Sequence, residues 1–193
     1  MDSIDTELFL WLNGWVGTFP LFDSLVKVID SDYLVPATLS MVLLGLWFAG
    51  NSPDTRMKLQ KAVFVGAASI GAANLVVNLV NNFYFRPRPF NQHDVSLLFY
   101  RATDSSFPSN PAAVAFAVAT AVWLTNKKLG WALYALACVF ALSRVYAGVF
   151  YPSDILAGAG IGLVVALVMH VVRILIEPLP TMVVKLARIF CLA

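Results

Sequence analysis

Arg88, Ser109, Arg144 and Asp154 are the side chains of this sequence best placed to do chemistry, because each stands where an apolar stretch ends or begins. Arg88 belongs to Arg86-Pro87-Arg88-Pro89, and Ser109 to Phe107-Pro108-Ser109-Asn110-Pro111. Arg144 follows Ser143 at the close of one stretch, and Asp154 opens the next. Two guanidiniums combined with the free N–H groups of a helix start make a cradle for phosphate. Arginine in lipid costs roughly 2.5–3.5 kcal/mol on insertion scales, so Arg144 requires a partner or a polar cavity. An Arg144–Asp154 ion pair stapling two helices satisfies that requirement as well as an anion site does. At this point both readings stand.

The elements that must carry these residues are membrane helices. Residues 33–50, 62–85, 109–125, 130–146 and 154–176 form five apolar spans, the first about 27 Å long as a helix against a hydrocarbon core of about 30 Å. Residues 51–61 read as a polar break, 86–108 as a long polar loop, and Asn126-Lys127-Lys128 as a short basic turn. Glu177-Pro178-Leu179-Pro180 ends the last span, and residues 177–193 read as a short basic amphipathic tail. Residues 1–32 carry two apolar pieces interrupted by Gly14, Gly17 and Pro20, each too short to span alone. They predict an interfacial or re-entrant helix pair, with a broken sixth span as the alternative. Arg56, Lys58, Lys61, Lys127, Lys128, Arg173, Lys185 and Arg188 fall on one side of this arrangement, which the positive-inside bias makes cytoplasmic. The motif-bearing ends then share the opposite face. Arg86, Arg88 and Arg101 lie there against the bias, which suits a site; local pairing with Asp94 and Asp104 is the plainer account. Gly158 and Gly162, with Gly66, Ala67, Gly71 and Ala72, predict close helix–helix approach, and Asn74, Asn78, Asn81 and Asn82 fit either interhelical hydrogen bonds or a polar path.

The whole composition agrees. The chain has 193 residues, of which 60% are hydrophobic and only 12% charged, about half the charge of a soluble domain. This predicts an all-α, polytopic membrane helix bundle forming a single integral membrane domain. A net charge of +2 gives no case for nucleic acid. Cys138 and Cys191 read as free thiols, no metal-ligand spacing exists, and no cofactor is expected. Asp2 and Asp5 make the N-terminus acidic, unlike the basic start of a signal peptide.

From Asn81 to Asp154 the sequence resembles the type 2 phosphatidic acid phosphatase (lipid phosphate phosphatase) superfamily. That family carries Lys-x6-Arg-Pro, Pro-Ser-Gly-His and Ser-Arg-x5-His-x3-Asp in order. Here Arg88-Pro89, Pro108-Ser109, Ser143-Arg144 and Asp154 are kept at the family spacing. The lysine position is Asn81, the second-motif histidine is Pro111, and the third-motif histidine is Phe150. The resemblance implies that Arg88, Ser109, Asn110 and Arg144 are candidates to hold phosphate, with Ser143, Arg86 and Asp154 in support. It also implies that the nucleophile and the general acid are missing, since the family uses its third-motif histidine to attack phosphorus and its second to protonate the leaving group.

Replacement groups are scarce. His170 falls toward the basic end of the last span, His93 lies in the long loop, and Tyr151 is a phenol without an evident base. Losing a nucleophile commonly costs on the order of 10⁴–10⁶ in kcat. The sequence therefore reads as a non-catalytic membrane protein on a degenerate phosphatase scaffold. It would bind membrane lipids and a lipid phosphate headgroup, or serve as an accessory subunit beside other membrane proteins. An active lipid or polyprenyl phosphate phosphatase with altered catalytic residues is the alternative, and a channel or transporter is a third. Asn81 in place of lysine removes one positive charge, which favours a monoanionic diester or weaker binding.

Overall fold

Alanine dominates one helix of the computed structural model, and that helix is the centre of the bundle. The structure describes residues 2–189, all helix and connecting loop with no strand among them; Cys191 and the side chain of Arg188 lie outside the described set. α6 (Asn110–Trp123) buries Ala112, Ala113, Ala115, Ala117, Ala119 and Ala121. Such small side chains let neighbouring backbones approach closely. Around α6 stand α3 (Leu34–Phe48), α4 (Pro53–Phe83), α7 (Lys127–Tyr146) and α8 (Pro152–Leu175). The closest approach is by α8: a Cβ on Gly158 would overlap the carbonyl oxygen of Ser109, and one on Gly162 that of Ala113. The expected GxxxG packing is therefore a backbone-to-backbone seam, and it pins the start of α6, where Ser109 and Asn110 sit.

By length and composition, α4, α7 and α8 can each cross a membrane. α2 (Pro20–Ile29) and α3 pass the same criterion together, bent by 48° at the break between them. α6, at 14 residues, is apolar but shorter than the expected 109–125 span. Outward positions such as Leu75, Leu79, Leu142, Leu156, Val164 and Leu175 are exposed and apolar, as a protein surface facing lipid requires. One boundary departs from expectation. The break expected over residues 51–61 is confined to residues 49–52, because Ser52 accepts a hydrogen bond from Thr55 N, Pro53 occupies the first turn, and α4 runs 31 residues from there. Capping chemistry starts the helix well before its hydropathy rises.

The N-terminal pieces are two short helices, α1 (Asp2–Asn13) and α2, packed against α7 and α8. Phe9 is fully buried, with its ring edge-on to Tyr151 at 5.4 Å. Asn13 donates to the carbonyls of Ser96 and Tyr146 and accepts from Ser96 N, so α1 clamps the long loop onto the end of α7. Gly148, at φ +87°, makes the reversal between α7 and α8 that only glycine adopts readily. That turn delivers Val149 and Phe150 to the same end of the bundle. The remaining elements are α5 (Pro89–Gln92) in the long loop and α9 (Leu179–Ile189) after the Glu177–Pro180 break.

Candidate functional site

Where α4 and α7 end and α6 begins, a cavity of about 290 Å³ opens. This is near the lower end of small-molecule pockets, about 300–1,000 Å³. Arg88, Asn110 and Arg144 line it, together with Asn81, Pro111 and Phe150. The three motif segments thus converge on one cavity, with Asn81, Pro111 and Phe150 on its wall.

Proline brackets hold Arg88 in place: Pro87 precedes it, and Pro89 starts α5. Its side chain is 4% exposed. Its Nη2 donates to Asp104 Oδ1 at 2.8 Å, its Nε to the Asp104 carbonyl at 3.1 Å and its Nη1 to the Val149 carbonyl at 3.3 Å. The guanidinium lies 4.4 Å from the centre of the Phe150 ring. Phe150 therefore offers a flat apolar surface that the cation stacks on.

Arg144, in the last turn of α7, lies between the rings of Phe99 and Phe140, at 4.5 and 5.0 Å. Its Nη2 donates to Asp32 Oδ1 at 3.1 Å. Its Nε is 3.0 Å from Asp30 Oδ1, but off the hydrogen-bonding direction, so neither atom is satisfied there. The Arg144–Asp154 pair allowed by the sequence does not form. Two aspartates from the break between α2 and α3 take Arg144, and Asp154 faces a different arginine.

That arginine is Arg86. Its Nη1 donates to Asp154 Oδ1 at 2.6 Å and to Ser153 Oγ at 2.7 Å, and its Nη2 to Asp5 Oδ2 at 2.8 Å. The guanidinium also lies 4.1 Å over the Tyr151 ring. Asp154, fully buried, additionally accepts from Ser106 Oγ and from Tyr151 N. Asp5 accepts from Ser153 N and Oγ. Burial opposes ionisation of Asp5, yet the bonds from Ser153 and Arg86 outweigh it and hold the carboxyl below its ordinary value. Arg86 and Asp154 form a structural hub beside the cavity, with neither on its wall.

Ser109 caps α6 by position, but its hydroxyl is buried with no hydrogen-bond partner among the described residues, and it does not line the cavity. Its backbone N–H donates to the Asp154 carbonyl at 3.0 Å, tying α6 to α8. Asn110 Nδ2 donates to Asn74 Oδ1 at 2.8 Å, so this asparagine of the second span makes an interhelical hydrogen bond. The Oδ1 atoms of Asn81 and Asn110 are buried without a hydrogen-bond partner among the described residues. They leave two acceptors unused beside the cavity, which buried polar atoms rarely do. Ser143 spends its hydroxyl on the Phe140 carbonyl within α7.

Neither histidine reaches the cavity. His93 stands edge-on to Tyr151, with ring centres 6.3 Å apart, and His170 lines a separate cavity at the other end of the bundle. The residues that sequence reasoning missed are Asp5, Asp30 and Asp32. Asp30 and Asp32 carried a usable signal, since they precede the first span on the face that Arg144 shares.

Residues 61–175 match the PAP2 superfamily. Undecaprenyl-diphosphatase BcrC of Bacillus subtilis is 30% identical over 181 residues, covering 93% of this chain and 90% of that protein. The crystal structure of Aquifex aeolicus LpxE superposes with a TM-score of 0.66 at 27% identity, over 86% of this chain and 94% of that one. A transmembrane PAP2-type phosphatidylglycerolphosphate phosphatase of Bacillus subtilis shares the fold, with a TM-score of 0.63 at 19% identity over 91% of this chain and 87% of that one. With the family match covering more than half of the sequence, and with its arginines converging on one cavity between the helix ends, this chain is a membrane protein that belongs to the PAP2 superfamily.

Proposed function

We propose that this protein holds the phosphate headgroup of a membrane lipid or polyprenyl phosphate between Arg88 and Arg144, with Asn110 hydrogen-bonding beside them, and does not hydrolyse it. One observation carries the reading: Pro111 and Phe150 form the cavity wall where the family resemblance puts the general acid and the nucleophile, and among the described residues no histidine lines the cavity. Proline has no proton to give and a phenyl ring cannot attack phosphorus. Two buried arginines remain, and they bind anions without any chemistry. The unused Asn110 amide oxygen supports a site made to take a polar ligand. Ser109 contributes by fixing the start of α6. The basic residues clustered at the opposite end of the bundle support a cavity opening away from the cytoplasm.

Phosphate release from undecaprenyl diphosphate and from phosphatidic acid by the purified protein tests this. The expected result is no turnover above the level of an Arg144→Ala variant. Turnover that this variant abolishes would overturn the reading.

A second reading is hydrolysis by rebuilt chemistry. It is favoured by the relatives, named as phosphatases over nearly the whole chain, and by the carboxylates of Asp32 and Asp104 on the cavity wall. An Asp32→Ala or Asp104→Ala change would then abolish phosphate release while leaving lipid binding in place.

A further inference from the structure

The end of the bundle farthest from Arg88 and Arg144 carries a second cavity, of about 340 Å³, that the PAP2 chemistry does not use. On α4, Lys58 and Asn81 are 23 residues apart, which places the two cavities roughly 35 Å apart along the helix. Lys58 and Lys61 from α4 and His170 and Arg173 from α8 line this second cavity, closed off by Leu124 and Thr125 after α6. Lys61 is paired with Glu177. Lys58 and Arg173 are in no ion pair among the described residues, and Arg173 Nε is buried with no hydrogen-bond partner among them.

An apolar slot of about 230 Å³ adjoins this cavity and shares Val65 and Arg173 with it. Its walls are Phe64 and Ala68 of α4, Met169 and Val172 of α8, and Leu179 and Val183 of α9. α9 is amphipathic and packs on α4, so it forms the third side of the slot. A topological bias for basic residues accounts for lysines at this end. It does not account for cationic side chains of two helices converging on one cavity that opens into a hydrocarbon-lined slot. A basic pocket between membrane helices beside an apolar groove matches one ligand chemistry, a phospholipid with net negative charge.

We propose that this cavity and slot together bind one anionic phospholipid. Its phosphate is met by Lys58, Lys61 and Arg173, His170 donates a hydrogen bond, and one acyl chain lies in the slot between α4, α8 and α9. The proposal is independent of what the Arg88–Arg144 cavity does.

The test uses the full-length protein in a mild detergent, titrated with phosphatidylglycerol, phosphatidylcholine or inorganic phosphate and followed by its thermal midpoint. Phosphatidylglycerol is expected to raise the midpoint saturably, and the other two are not. Loss of two cations in Lys58→Gln/Arg173→Gln is expected to weaken the response about thirtyfold in lipid concentration. Lys127→Gln/Lys128→Gln, on the exposed first turn of α7 outside the cavity, is expected to leave the response unchanged, and the dependence on Lys58 and Arg173 is expected to persist when Arg88→Ala/Arg144→Ala removes headgroup binding at the other cavity. Should the Lys58/Arg173 variant not fold, Val183→Trp, which fills the slot and leaves the charges alone, is expected to produce the same loss. An equal response to phosphatidylcholine would overturn the proposal, as would a response reproduced by inorganic phosphate. So would a phosphatidylglycerol response that survives the cavity and slot variants in the Arg88→Ala/Arg144→Ala background, or one lost equally with Lys127 and Lys128.

Discussion

Arg88 meets Asp104 and Arg144 meets Asp32, and in each pair the carboxylate is much the more exposed member: 66% and 48% against 4% and 5%. Ion pairs with one partner in solvent are worth about 0–1 kcal/mol, so these carboxylates can be displaced cheaply. A phosphate offers the arginines more acceptor oxygens in the same place. On the proposed reading, Asp104 and Asp32 are internal competitors for the lipid phosphate. Asp104→Asn is expected to tighten lipid phosphate binding about two- to fivefold, the range such a pair energy allows, in a titration of the purified protein. A weaker complex would mean that the carboxylate builds the site and does not merely occupy it. Asp5 gives a pH signature. Its carboxyl is held below the ordinary value in the folded state, so its contribution is present above the unfolded pKa of about 3.9 and is lost as pH falls through the lower folded value. Asp5→Asn is expected to lower the thermal midpoint at neutral pH and to flatten the acid-side decline between about pH 5 and pH 2, where a loss of midpoint equal at all pH values would contradict the assignment.

The helix seam between α6 and α8 sets the site geometry, because the Ser109 backbone bonds to Asp154 while Gly158 lies directly on the Ser109 carbonyl. A methyl group at Gly158 has backbone to displace, not a flexible side chain. Gly158→Ala is therefore expected to cost at least the 1–3 kcal/mol typical of overpacking, roughly 3–10 °C in thermal midpoint for a chain of this size. Gly160, in the same run, has nothing within 4 Å of an added Cβ, and Gly160→Ala is expected to be neutral or slightly stabilising. Equal effects of the two substitutions, measured by thermal unfolding in detergent, would contradict the seam. Sequence reasoning saw the small-residue pattern but not which glycine mattered, since helical spacing gives the face and not the depth of contact. It also placed a break at residues 51–61, because hydropathy marks where apolar residues begin and Ser52 and Pro53 decide where the helix begins.

Across the whole molecule, the convergence of Asn81, Arg88, Asn110, Pro111, Arg144 and Phe150 on one cavity was legible in the sequence, because those segments all fall at span ends on one face and alternating spans bring such ends together. The local pairing of Arg88 with Asp104 was legible as well, but the distant partners of Arg86 and Arg144 were not. Arg86 meets Asp5 across 81 residues and Arg144 meets Asp32 across 112, and no local pattern encodes pairings at that separation. Ser109 was legible as the residue at the start of α6, but not as a buried hydroxyl turned away from the cavity. What results is a bundle in which α6 is a fixed post, α1 and the long loop cap one end, and two arginines line a cavity with Asn81, Pro111 and Phe150 on its wall. The most direct measurement is to incubate the purified protein with undecaprenyl phosphate carrying ³²P, reisolate it, and identify the retained label. The account predicts intact labelled lipid on the wild-type protein and little on Arg88→Ala/Arg144→Ala. Labelled inorganic phosphate released by the wild type, or retention indifferent to the two arginines, would contradict it.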